Sequence, residues 1–162
     1  MTLLNAPEYN ERGENRKRNL LVGSGVLVAV LVLTFLGGYL LGHGWFFSNL
    51  PAEHKVSNFF SALEAKDFAK AYGIYQNDAN WQEHPQKYEY TLKRFTEDWT
   101  TESPINAPIT SHHVDISKTD GTGAFGTGII VATRVNGERK LFMYYIRKDG
   151  TLTWPAPHEL EY

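Results

Sequence analysis

His112 and His113 stand side by side, and paired histidines are the residues of this chain best suited to hold a transition metal. Their spacing argues against it. They fall in a stretch with strand character, and successive strand residues point to opposite faces, so the two imidazoles cannot readily share one ion. A centre would need His84, His158 or a carboxylate brought in by the fold, and neither H-x-x-x-H nor H-E-x-x-H occurs. Surface or half-buried histidines are expected, with no metal and no cofactor. The chain has no cysteine, no G-x-S-x-G and no phosphate-binding loop. Asp120-Gly121-Thr122-Gly123 is glycine-rich, but it lies between strands and not ahead of a helix, so it reads as a turn.

The aromatic load is heavy: Trp81, Trp99 and Trp154 join nine tyrosines and nine phenylalanines. Core packing accounts for most of these rings. The surplus reads as an apolar pocket or an interface patch, where Trp and Tyr are favoured. The candidates are Tyr72, Trp99, Phe142, Tyr144 and Ile146.

What positions these residues begins with Leu20–Gly42, an uncharged and mostly apolar run. As a helix it spans roughly 34 Å, enough to cross a bilayer core. Arg12, Arg16, Lys17 and Arg18 crowd its N-terminal side, whereas the next cation is Lys55. This bias places the N-terminus in the cytoplasm and the C-terminal domain outside it, on a single-pass protein of the inner (plasma) membrane. Tyr39, Trp45, Phe46 and Phe47 sit where an outer aromatic belt belongs. A cleaved signal peptide fits less well. The apolar core is too long, and Gly42-His43-Gly44 is followed by a poor continuation. Gly38 and Gly42, with Gly25 and Ala29, give small-residue spacings that let membrane helices approach one another. The bilayer is thus one expected partner, and a protein partner or self-association is another. The sequence divides into a disordered cytoplasmic tail (1–19), the transmembrane helix (20–42), a juxtamembrane linker (43–52) and one domain (53–162). That domain has fewer Lys and Arg than Asp and Glu and no basic stripe, which argues against nucleic acid.

Within the domain, Val56, Phe59, Phe60 and Leu63 form one helical stripe, and Phe68, Ala71, Tyr72 and Tyr75 form another. Asp67 is the expected N-cap between them. Pro85 opens a third helical stretch, with Tyr88, Leu92, Phe95 and Trp99 on one face, ending at Ser103-Pro104. Then the period changes. Ser111–Lys118 alternates, with Val114 and Ile116 on one face and Asp115 turned to solvent. Ala124–Val135 reads as a long strand in which Gly126 and Gly128 allow a bulge or bend. Asn136-Gly137 is a hairpin turn and Glu138–Lys148 the return strand. Asp149-Gly150 turns into Thr151–Trp154. The fold class is α+β, with about three helices on a curved antiparallel sheet of about four strands. Both faces of the return strand are apolar. Its second face therefore needs a cover, such as a cavity wall, a dimer partner or another subunit.

The segment from Val56 to Tyr72, VSNFFSALEAKDFAKAY, resembles the opening of the nuclear-transport-factor-2-like (SnoaL-like) superfamily. The order of elements extends that resemblance over residues 53–155. The resemblance implies a cone-shaped domain with a pocket. It also implies enzymes, ligand-binding modules or accessory domains as possible roles. Enzymes of this type place Asp, His or Tyr groups in the pocket, which here points to Asp115, His113, Arg134, Tyr144, Tyr72 and Tyr75. No catalytic pattern matches position by position, so no catalytic residue is assigned. The expected function is a membrane-anchored binding or interaction module, with an apolar small molecule as a possible ligand. An accessory subunit of a membrane complex and a small cone-fold enzyme acting on an apolar substrate are the alternatives.

Overall fold

The computed structural model describes residues 10–121 and 128–162. Helix α1 (Glu11–Leu40) starts at Asn10, whose side chain accepts from the Gly13 N–H at 2.9 Å. Its most apolar stretch has a mean hydropathy of 2.5 and none of it is buried, so the helix is long and apolar enough to cross a bilayer. Residues 11–19, expected in a disordered tail, are its first turns. Here Asn10 caps, and acidic Glu11 and Glu14 sit near the positive end of the dipole.

Helices α2 (Leu50–Glu64) and α3 (Phe68–Tyr75) are separated at Lys66, whose φ of 57° breaks the first, and Asp67, whose carboxylate caps the second through the Lys70 N–H at 3.0 Å. The third helix is shorter than its periodicity implied. Single 3₁₀ turns occupy Trp81–Glu83 and Pro85–Lys87, Tyr88 is extended, and α4 covers only Leu92–Asp98 behind a Thr91 cap. Tertiary bonds override the local pattern. The Tyr88 hydroxyl donates to Asp78 and that of Tyr90 to Asp98, which holds the segment before Thr91 out of a helix.

Strands β1 (His112–Thr119), β2 (Gly128–Val135), β3 (Arg139–Ile146) and β4 (Leu152–Thr153) form an antiparallel meander in that order. Asn136 (φ 50°) and Gly137 (φ 93°) make the expected hairpin, both central residues being left-handed. The expected β2 positions Ala124–Thr127 lie outside the described residues, as do Thr122 and Gly123 of the glycine-rich turn. The bulge sits in β1 instead. Val114 pairs with Thr133 and Ile116 with Ala132, leaving Asp115 as an extra residue. One added residue moves Val114 and Ile116 to opposite faces. Val114 joins the core under the helices and Ile116 the far side.

The helix-facing core is closed by rings. Phe59, Phe60, Tyr72 and Phe95 are each at most 1% exposed, and Trp99 meets Phe59 edge-on at 5.1 Å. The second sheet face, carrying Ile130, Ala132 and Phe142, is covered by the chain's own C-terminal segment. Leu160 packs there, and the Ala156 N–H donates to the Phe142 carbonyl at 3.0 Å. The expectation of a cavity wall, dimer partner or other subunit at this face is therefore corrected: Pro155–Tyr162 carries no periodic signal, yet supplies the cover. Replacing Leu160 with alanine should cost about 2 kcal/mol, read as a lower denaturant midpoint. An unchanged midpoint would mean that this segment is not the cover.

Candidate functional site

The residues following α1 build a joint, not a tether. Gly38 is buried because the 3₁₀ turn Trp45–Phe47 folds back onto the helix; a Cβ there would lie 2.4 Å from both the Gly44 oxygen and the Phe47 nitrogen. Trp45 stacks on Phe35 and Tyr39, each at 4.2 Å between ring centres. Gly42 (φ 80°) turns the chain, and a Cβ on it would meet Ile116 at 2.7 Å. Its carbonyl accepts from the Ser117 N–H at 2.7 Å, so the segment lies along the edge strand β1. Beneath it Glu53, 6% exposed, lies 2.9 Å from His43 Nδ1 through each carboxylate oxygen and accepts from Ser117 Oγ at 2.5 Å. A buried carboxylate requires such donors. They come from the end of the apolar helix and from the sheet, so the expected linker 43–52 is a fixed connection that already contains the start of α2.

Of the grooves that open to solvent on the described part of the domain, two have volumes above 600 Å³. The larger, about 1020 Å³, runs between the outer sides of α2 and α3 and the 77–82 loop, with Lys55, Asn58, Ser61, Lys70, Ile74 and Trp81 among its walls. Burial lowers the Lys55 pKa against the opposing pull of Asp149, and its amine donates to Asn77. At one end, Asp78 accepts from Tyr88, from His84 Nε2 at 2.6 Å and from the Asn80 N–H at 2.9 Å. The Tyr88 hydroxyl is the main cause that brings the Asp78 pKa down to about 2. The smaller groove, about 610 Å³, includes Tyr75, Tyr90, Arg94, Trp99 and Trp154. Burial raises the pKa of both Tyr75 and Tyr90, which keeps their hydroxyls protonated and poor as bases. Arg94 is spent on Asp98 at 3.0 Å and Glu102 at 3.2 Å.

The five residues expected to form a pocket or interface are not brought together. Tyr72 and Trp99 belong to the core, and the Tyr72 hydroxyl donates to the Tyr90 carbonyl at 2.6 Å. Phe142 and Tyr144 lie on the opposite sheet face, and Ile146 is half-buried at the end of β3. The ring of Tyr144 crosses Gly128, and its hydroxyl donates to Asp120. Gly38 and Gly42 serve the joint, whereas a Cβ on Gly25 would meet nothing within 4 Å and Ala29 is exposed.

Among the acid–base candidates, Asp115 does not face solvent. The bulge turns it under Arg134, which binds it through Nη2 at 2.6 Å and Nε at 2.8 Å, while Tyr162 donates at 2.7 Å. Its side chain is only 7% exposed. Burial works against the carboxylate, but Arg134 and Tyr162 outweigh it and hold its pKa below the usual value. His113 is exposed, 3.8 Å from Asp115. His112 is held between Ser57 and Glu64. No three metal-binding side chains converge among the described residues. Sequence reasoning passed over Glu53, His43 and Ser117. The one signal for them was an acidic residue inside an otherwise apolar helix face at Ala52–Val56.

No protein-family model matches the chain, and no curated protein or solved structure does either.

Replacing Gly38 with alanine should destabilise the joint by about 1–3 kcal/mol, seen as faster proteolysis at residues 41–49, whereas Gly25→Ala should leave it intact. Equal protection in both variants would count against the joint. The Asp78 cluster sets a second expectation. Because its folded pKa is depressed, its bonds contribute fully above about pH 4 and are lost as pH falls towards about 2. The Tyr88 ring resonances should shift over that window, and Asp78→Asn should abolish the transition.

Proposed function

We propose that this is a single-pass membrane protein whose α+β domain stands outside the cytoplasm and binds a protein partner through its outer surface. One observation carries the retained anchor. The last residue of the apolar segment, Gly42, and His43 directly after it are hydrogen-bonded to the domain. Cleavage there would remove a partner from the buried Glu53 carboxylate and uncover the β1 edge, costs that a signal peptide does not impose. The cluster of cations before the helix supports a cytoplasmic N-terminus. The exposed rings of Trp45 and Phe46, 45% and 52% accessible, suit a membrane–water interface.

The helices-then-meander order and the VSNFFSALEAKDFAKAY opening support membership of the nuclear-transport-factor-2-like superfamily. The aromatic filling of the interior points to a module that works through exterior grooves, not through an enclosed ligand chamber. The groove between α2 and α3, larger than the one beside Tyr75 and Trp154, is the candidate contact. A second reading, as an accessory subunit of a membrane complex, is favoured by the open side of Gly25 and Ala29 on α1.

Because the chain lacks cysteine, single substitutions report orientation cleanly. Thr101→Cys should react with an impermeant maleimide in spheroplasts, and Asn15→Cys only after lysis; the reverse pattern would overturn the topology. In mild detergent the full-length protein should retain a stoichiometric protein partner that Ser61→Trp, placed in the groove, releases. Retention unaffected by that substitution, or no partner at all, would reject the groove.

A further inference from the structure

We propose that Ser57, His112 and Glu64 form a hydrolytic triad for a small carboxylic ester, a role independent of partner binding. Ser57 and Glu64 lie seven residues apart on α2, two turns along one face. His112, the first residue of β1, reaches across to both. Its Nδ1 is 2.6 Å from Glu64 Oε1 and its Nε2 is 2.9 Å from Ser57 Oγ. The tautomer follows from the acceptor. A carboxylate only accepts, so Nδ1 carries the proton, and Nε2 offers its lone pair to the serine hydroxyl. The serine proton is thereby aimed at a base that a third group orients, which is the arrangement that activates a serine nucleophile. The ring is fixed as well as bonded: it stacks on Phe60 at 5.8 Å, and its side chain is 11% exposed.

Ser57 is reachable. It opens on a recess of about 270 Å³ that also includes Leu50, His54, His112 and Val114. Leu50 and Val114 supply apolar wall, and the volume suits a short acyl group. In the reaction, Ser57 Oγ attacks the ester carbonyl carbon while His112 Nε2 takes the hydroxyl proton. The proton then passes to the departing alkoxide as the C–O bond breaks. Water, deprotonated by His112, releases the acyl group as the free acid and restores Ser57. The helical backbone around Ser57 spends its N–H groups on helix bonds. No backbone donor is therefore left there for the developing oxyanion, and turnover should be slow.

The test uses the full-length protein in detergent with a fluorophosphonate probe and p-nitrophenyl acetate, followed by peptide mapping. Phosphonylation is expected at Ser57 alone. Ser57→Ala, half-exposed and harmless to packing, should abolish the adduct. His112→Gln should slow it by about 10²–10⁴-fold. Glu64→Gln tests a positioning role: the adduct rate should fall and its pH profile change while KM for the ester holds. A folded wild-type protein that takes no adduct at Ser57, or one whose labelling is indifferent to His112→Gln, would overturn the proposal and leave these bonds as a tie between β1 and α2.

Discussion

Glu53 is a carboxylate taken almost wholly out of water, and the way it is satisfied determines how the apolar helix meets the domain. An unpaired buried charge costs several kcal/mol, so the side chains around it are constrained to stay. His43 comes from the end of the helix and Ser117 from the edge strand, so the helix, α2 and the sheet meet at one point. Gly38 lets the turn after the helix close against it, and Gly42 lets β1 approach. The orientation of the domain relative to α1 follows from these contacts and not from a flexible linker.

The rest of the domain is arranged around that fixed point. β1 is the sheet's outer strand, and an unpaired edge is a liability unless covered. Here the Gly42 carbonyl occupies part of it. The bulge at Asp115 then divides the strand, sending Val114 to the helical core and Ile116 towards the C-terminal cover. Arg134 and Tyr162 close over the extra residue, so Tyr162 is tied back to the strand on which the segment after the apolar helix rests. Aromatic rings fill the interior between the helices and the sheet.

Much of this was legible in residue types. The Val56–Leu63 and Phe68–Tyr75 stripes, the Asp67 cap and the Asn136-Gly137 turn are local signals, and the structure follows them. The departures share a cause: each turns on side-chain bonds or backbone register that periodicity does not encode. Tyr88 and Tyr90 were counted into a helix, but their hydroxyls answer to Asp78 and Asp98. Val114 and Ile116 look like one face until a single bulged residue shifts the register. The C-terminal cover has no period to read. Gly38 and Gly42 fit a helix–helix motif equally well as a backbone fold, since both need only the absence of a side chain. For the candidate site, the two histidines drew notice for a metal, whereas the structure gives His112 a serine and a glutamate from α2. Spacing along one helix could suggest Ser57 with Glu64, but only the fold supplies the base between them.

The central claim is that the apolar helix and the domain form one rigid unit through Glu53. Spin labels at Val28→Cys and Thr101→Cys, on the full-length protein in lipid nanodiscs, measure it by pulsed dipolar spectroscopy. A single narrow distance distribution that broadens in Glu53→Ala is the result this account predicts. A broad distribution in the wild-type background, unchanged by Glu53→Ala, would contradict it and make residues 43–52 a tether.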